Sequence, residues 1–204
     1  MLGLPQTTEV KKIIPKRDLY KKFELNTAEQ KEFDAAIRQM TIVNEISLRT
    51  IPALQKQEQE KAVFVLAVQL KQEGCAERLL QRLCRRIDQR LLLALCYADK
   101  LQLALLFDNK ILLNDFKPAA EQSVTLQGTG LNDIWEQFAL QVANLTPSAG
   151  LTPASVIANA GRRAEAEAQI AALTKKMFAE KQARKKLTLR EAINKLKKEL
   201  EDLQ

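Results

Sequence analysis

No histidine occurs anywhere in the 204 residues. A serine or cysteine nucleophile would have no imidazole to activate it, and imidazole ligation of a metal is excluded. Any catalysis would have to rest on Asp, Glu, Lys, Tyr or Cys. Cysteine is scarce too: Cys75, Cys84 and Cys96 are odd in number and form no CxxC pair, which fits reduced thiols packed as small apolar side chains. The 6 glycines build no phosphate cradle, since GxxxxGK[ST] is missing and Gly128-Thr129-Gly130 has no third glycine behind it. No apolar run reaches the roughly 20 residues of a membrane span. The opening Met1-Leu2-Gly3-Leu4-Pro5-Gln6 carries neither the basic nor the apolar region of a secretory signal. These gaps predict a cytoplasmic, non-enzymatic protein with no membrane partner, no cofactor, no metal and no catalytic residue to assign.

The charge that is present is unevenly spread. The net charge is +7, and from Gly161 onward twelve Lys or Arg stand against seven Asp or Glu, while the rest of the chain has twenty against eighteen. The last fifth therefore holds most of the excess and favours an anionic partner.

The pattern predicts an α+β fold with a mixed, largely antiparallel sheet covered by helices, followed by a C-terminal helical hairpin or coiled-coil-like tail. Its centre is Leu91 to Leu113, three apolar runs broken by Ala98-Asp99-Lys100 and Asp108-Asn109-Lys110, the signature of a meander with tight turns. Ahead of it, Thr27-Ala28-Glu29-Gln30 reads as a capping box opening a helix to about residue 41, with Phe33, Ala36, Ile37 and Met40 on one face. A strand is expected from Ile42 to Ile51, a surface loop from Gln55 to Lys61, and a second strand from Ala62 to Leu70. A crossover helix follows over 76–89. After the meander, Ser123 to Gln127 alternates like a strand, and a helix over 131–145 carries Trp135 as a core anchor. The helices at 27–41, 76–89 and 131–145 are expected on one face of the sheet. The globular domain spans 1–145, a Pro/Gly linker 146–153, and the helical tail 154–204.

Three patterns are candidate sites. Arg78, Arg82, Arg85 and Arg86 fall at i, i+4, i+7 and i+8 and put a guanidinium stripe on the crossover helix, suited either to a phosphate backbone or to a solvated face. Leu189, Ile193, Leu196, Leu200 and Leu203 follow an alternating four-three spacing, a short heptad seam for a protein partner or a second copy. That helix is expected to begin at a capping box, Thr188-Leu189-Arg190-Glu191, after a break near Lys186; one continuous helix is the competing arrangement. Gln69-Leu70-Lys71 has the (D/E/Q)xK form of a metal-dependent nuclease, with only Glu45 on the preceding strand to complete it.

Several segments in order resemble a known family. Leu4-Pro5, Thr8-Glu9-Val10 and Pro15-Lys16 open the chain, Gln69-Leu70-Lys71 and Ile87-Asp88 lie mid-chain, and Glu180-Lys181-Gln182 with Lys195-Leu196-Lys197-Lys198-Glu199-Leu200 closes it. Together they resemble domain-of-unknown-function family 4391, an uncharacterised prokaryotic family, across nearly the whole length. Members of that family carry Pro-Tyr after the Ile-Asp step, where this chain has Gln89-Arg90. The resemblance implies an accessory protein of a restriction-modification or phage-defence system, encoded near helicase and DNA-methyltransferase genes. Its implied partner is a helicase or methyltransferase subunit; nucleic acid is the alternative that the arginine stripe offers. It supplies no catalytic residue.

Overall fold

The computed structural model describes residues 2–22, 24–58, 60–148 and 150–201. The chain divides into two compact units, Met1–Thr146 and Pro147–Gln204. In the first, a short 3-10 turn (Gln6–Thr8) leads to β1 (Glu9–Ile14), α1 (Lys16–Lys22), α2 (Thr27–Ala36), β2 (Ile37–Ile46), β3 (Val63–Leu70) and α3 (Glu77–Arg86). Then come β4 (Arg90–Tyr97), β5 (Lys100–Phe107), β6 (Lys110–Leu113), β7 (Lys117–Pro118) and α4 (Leu131–Val142). The strands form one mixed sheet in the order β1-β2-β3-β4-β5-β6, with β7 also pairing to β5. Only β3 and β4 run parallel, and α3 is the crossover that a parallel pair requires.

The β4-β5-β6 meander turns where the sequence places its polar trios. Asp108 and Asn109 both adopt positive φ, 43° and 64°, the left-handed pair that two-residue hairpins favour. The sheet is buried on both sides, which explains the near-continuous apolar runs of β3 and β4. On one face Leu66, Val68, Leu91, Leu93 and Leu95 pack with Phe33 of α2 and Leu79, Leu80 and Leu83 of α3. The alternate residues Val63, Val65, Leu92 and Ala94 are fully buried on the other face. Arg90 shares that second face by strand alternation and bonds Leu131 and Asn132 of α4, so α4 covers it. The expectation that all three helices share a face is therefore corrected: two lie on one side and α4 on the other.

Three boundaries also differ from expectation. The cap of α2 is Asn26, whose side chain accepts from the Glu29 backbone while Glu29 returns a bond to the Asn26 amide, so the box sits one residue earlier than Thr27. That helix ends at Ala36, and Ile37 and Met40 belong to β2. Their spacing of three imitates a helical face because the β2–β3 register slips between Ile37 and Gln39, and the bulge turns both side chains inward. The stretch Ser123–Gln127 forms no strand. Instead the Gln141 side-chain amide accepts from the Thr125 amide at 2.9 Å and donates to its carbonyl at 3.0 Å, supplying the bonds a neighbouring strand would.

The second unit consists of α5 (Pro153–Ala179) and α6 (Ala183–Glu201), packed on each other and joined by residues 180–182. The connection excludes a continuous helix, and it lies before Lys186. Thr188 is inside α6, where its hydroxyl bonds the Arg184 carbonyl at 3.3 Å rather than capping an N-terminus. Glu180, the residue at the C-cap of α5, braces the connection, its carboxylate accepting from the amides of Lys181 and Gln182 at 2.8 and 2.9 Å.

Candidate functional site

The arginines of α3 do not form a uniform stripe. The helix turns Leu79, Leu80, Leu83 and Cys84 into the core, which leaves the arginines on the outer side. Arg82 is the most covered of them at 21% side-chain exposure, and lies 3.4 Å from Glu29 and 3.2 Å from Glu32 of α2. It fastens one helix to the next. Arg78, Arg85 and Arg86 are exposed, and among the described residues none has a carboxylate at ion-pairing distance. Arg85 and Arg86 occupy the last turn, where cations also offset the helix dipole.

At the sheet end nearest Arg85, a cleft of about 440 Å³ is lined by Lys61, Arg85, Asp88, Arg90, Asn109 and Trp135. Its cations are largely engaged. Lys61 pairs with Asp88 at 2.5 Å, and the Arg90 guanidinium donates to the Leu131 carbonyl at 3.1 Å and to Asn132 at 2.7 Å. The same guanidinium sits 5.9 Å from the Trp135 ring centroid, and burial lowers its pKa. Trp135 is 8% exposed and belongs to the core. The loop over 55–61, expected on the surface, is pinned beside it: Gln57 accepts from the Asn132 amide at 2.9 Å and donates to Asp133 at 3.1 Å.

The nuclease-like residues do not converge. Glu45 is in register with Phe64, five residues up β3 from Gln69, so the two lie about 17 Å apart at the strand rise of 3.3–3.4 Å. Glu45 is also bonded to Arg49 at 2.6 Å, and that bond holds its carboxyl below the ordinary range. Among the described residues no three Cys, Asp or Glu side chains cluster as metal ligands. The three cysteines are free, and burial pushes the thiols of Cys75 and Cys84 up to about 11 and about 12, away from a reactive thiolate.

On α6, Ile193 is buried while Leu189, Leu196 and Leu200 are only half-buried, and Leu203 lies outside the described residues. The α5 residues Ile170, Leu173 and Met177 are likewise half-buried, and none on α5 is buried. Phe178 and Leu187, flanking the turn, are 77% and 58% exposed. The turn itself forms a shallow concavity lined by Lys176, Glu180, Lys181, Gln182 and Lys185. From sequence the excess positive charge belongs to the tail as a whole, with the break expected near Lys186; the structure gathers much of it at the turn, where the run of cations surrounds a lone Glu180.

The family model described as Domain of unknown function (DUF4391) matches residues 2–200. The chain belongs to that family. No curated protein and no solved structure matches this DUF4391 chain. Among its described residues, no helix is long and apolar enough to cross a membrane.

Proposed function

We propose that this DUF4391 protein is a non-enzymatic interaction component that docks a partner chain through the apolar seam of its C-terminal helical pair. One observation carries the reading: Leu189, Leu196 and Leu200 of α6 and Ile170, Leu173 and Met177 of α5 stay half-covered in the chain alone. Fully burying such a side chain contributes about 1.5–3 kcal/mol, so a partner helix laid on the seam would complete a burial that the pair leaves unfinished. The cations flanking the seam favour an acidic partner over a second copy. In the setting implied by the family, that partner is a helicase or methyltransferase subunit of a restriction or phage-defence system, met in the cytoplasm where the three thiols stay reduced.

A second reading has its own support. Arg78, Arg85 and Arg86 remain open to an anion, so α3 is an alternative nucleic-acid contact. The metal-dependent nuclease has no such support, because its residues stand at opposite ends of a strand pair.

The test is light scattering and co-purification with co-expressed helicase or methyltransferase subunits. It uses the full chain, a Leu196→Glu/Leu200→Glu double variant, and a chain ending at Thr146. Docking through the seam predicts a complex with the full chain and its loss with both alterations. A full chain that stays monomeric and captures neither subunit, or a complex indifferent to both alterations, sinks the proposal.

A further inference from the structure

The cations of the helical pair are concentrated at its turn. Lys175 and Lys176 end α5, Lys181 lies in the connection, and Arg184, Lys185 and Lys186 open α6. All six are exposed, and among the described residues none has a carboxylate at ion-pairing distance. Packed helices stand about 8–10 Å apart, so the end of one and the start of the next present these charges on a single tip. Glu180, the one acid between Lys175 and Lys186, accepts from the amides of Lys181 and Gln182; those bonds, with a smaller pull from Lys185 and Lys186, hold its carboxyl below the ordinary range, and it offsets only one of the six cations.

Two features of the tip run against local stability. The first turn of α6 holds no acid and carries three cations, the wrong sign for a helix N-terminus. Phe178 is 77% exposed beside them, although aromatic rings dominate core energetics when buried. A chain that breaks both rules within a dozen residues gains from them elsewhere.

We propose that this tip, Lys175 to Leu187, binds single-stranded nucleic acid, its lysines and arginine tracking the phosphates and Phe178 stacking on an unpaired base. Dense positive charge beside an exposed aromatic is the combination that sequence-tolerant strand binding uses. A membrane surface would call for a wider apolar face than Phe178 and Leu187 provide. An acidic protein surface would match the charge, but a single strand presents a flat partner for the ring at every nucleotide. The tip adjoins the seam at Met177 and Leu189, but the cations and Phe178 are exposed and lie outside it, so this inference stands whether or not the seam docks a protein.

The experiment is an anisotropy titration of the full chain against a labelled mixed-sequence strand of about 20 nucleotides across a salt series. Each phosphate neutralised contributes a log–log slope of about −0.7, so Lys181→Gln/Lys185→Gln should weaken binding and flatten the slope by about 1.4. Phe178→Ala should weaken it roughly five- to a hundredfold, and Phe178→Trp should retain it. Circular dichroism confirms that these exposed substitutions leave the helices intact. Four results overturn the proposal: no binding at low salt; binding indifferent to the tip variants; loss only with Arg78→Gln/Arg85→Gln/Arg86→Gln; or tighter capture by phosphatidylserine vesicles or polyglutamate than by the strand.

Discussion

The two units of this chain hold themselves together by different means. In the first, α2, α3 and α4 sandwich a sheet whose β3, β4 and β5 residues are buried on both faces, and every buried side chain of the described structure except Ile193 lies between Leu2 and Val142. The helical pair has Ile193 alone. Its order comes from Ala-, Lys- and Glu-rich propensity, from the Thr152 cap with Pro153 behind it, and from Glu180 at the turn. Burial is cooperative and costly to breach, whereas propensity and caps contribute tenths of a kcal/mol to about one each. The pair should therefore open at far lower free energy than the sheet, and elements that must engage a partner are drawn from that end.

The sharpest way to break this contrast is to weaken the strong side. Phe138 is fully buried under the second face of the sheet, and Phe138→Ala should cost about 3–5 kcal/mol. Trp135 is the only tryptophan and reports the first unit alone. Urea unfolding followed by its fluorescence should shift to a much lower midpoint. In the unaltered protein, far-UV circular dichroism should begin to fall at lower urea than this fluorescence. Coincident transitions would show that the units unfold as one and would remove the contrast.

A smaller effect is expected from Ile193→Ala. With 6% exposure and half-covered neighbours, the loss should be about 2 kcal/mol, at the low end for Ile to Ala. Hydrogen exchange should show faster opening of α5 and α6, with β3 to β5 unchanged. Smaller again is Gln57→Ala, which leaves the Asn132 amide at the start of α4 without its side-chain acceptor and removes one bond to Asp133, which keeps Thr129 and Gly130, at about 1 kcal/mol. It should lower the fluorescence midpoint while leaving the helical pair's exchange untouched.

The smallest effect concerns pH. The Lys16 ammonium, then the Tyr20 hydroxyl, bond Asp34 at 2.6 and 2.5 Å and hold its carboxyl below the ordinary range. A depressed folded pKa gives stability that is complete above the unfolded value and is lost as pH falls through the folded one. Asp34→Asn should therefore flatten the acid limb of the stability curve for the first unit only. An acid limb unchanged by the substitution would assign that limb to other carboxylates.

The meander, the crossover helix and the helical character of the tail were legible because each rests on a local pattern: apolar runs cut by Asp-Asn, a 3.6-residue leucine face, and proline-free Ala/Lys/Glu composition. The candidate sites were legible only as residue lists. The α3 arginines fall on one helical side by their spacing, yet whether Arg82 is open to an anion depends on Glu29 and Glu32, some fifty residues away. Gln69-Leu70-Lys71 resembles a nuclease element until the β2–β3 register sets Glu45 at the far end.

Alternation, helical period and turn residues act over a few positions, and so the sequence by itself determined the class of fold and most of its elements. The tertiary structure alone decided which face α4 covers, that Ile37 and Met40 belong to a bulged strand, and that Gln141 substitutes for a strand beside Thr125. Each depends on which distant groups meet, and a backbone amide or a charge accepts whichever partner the packing brings within about 3 Å.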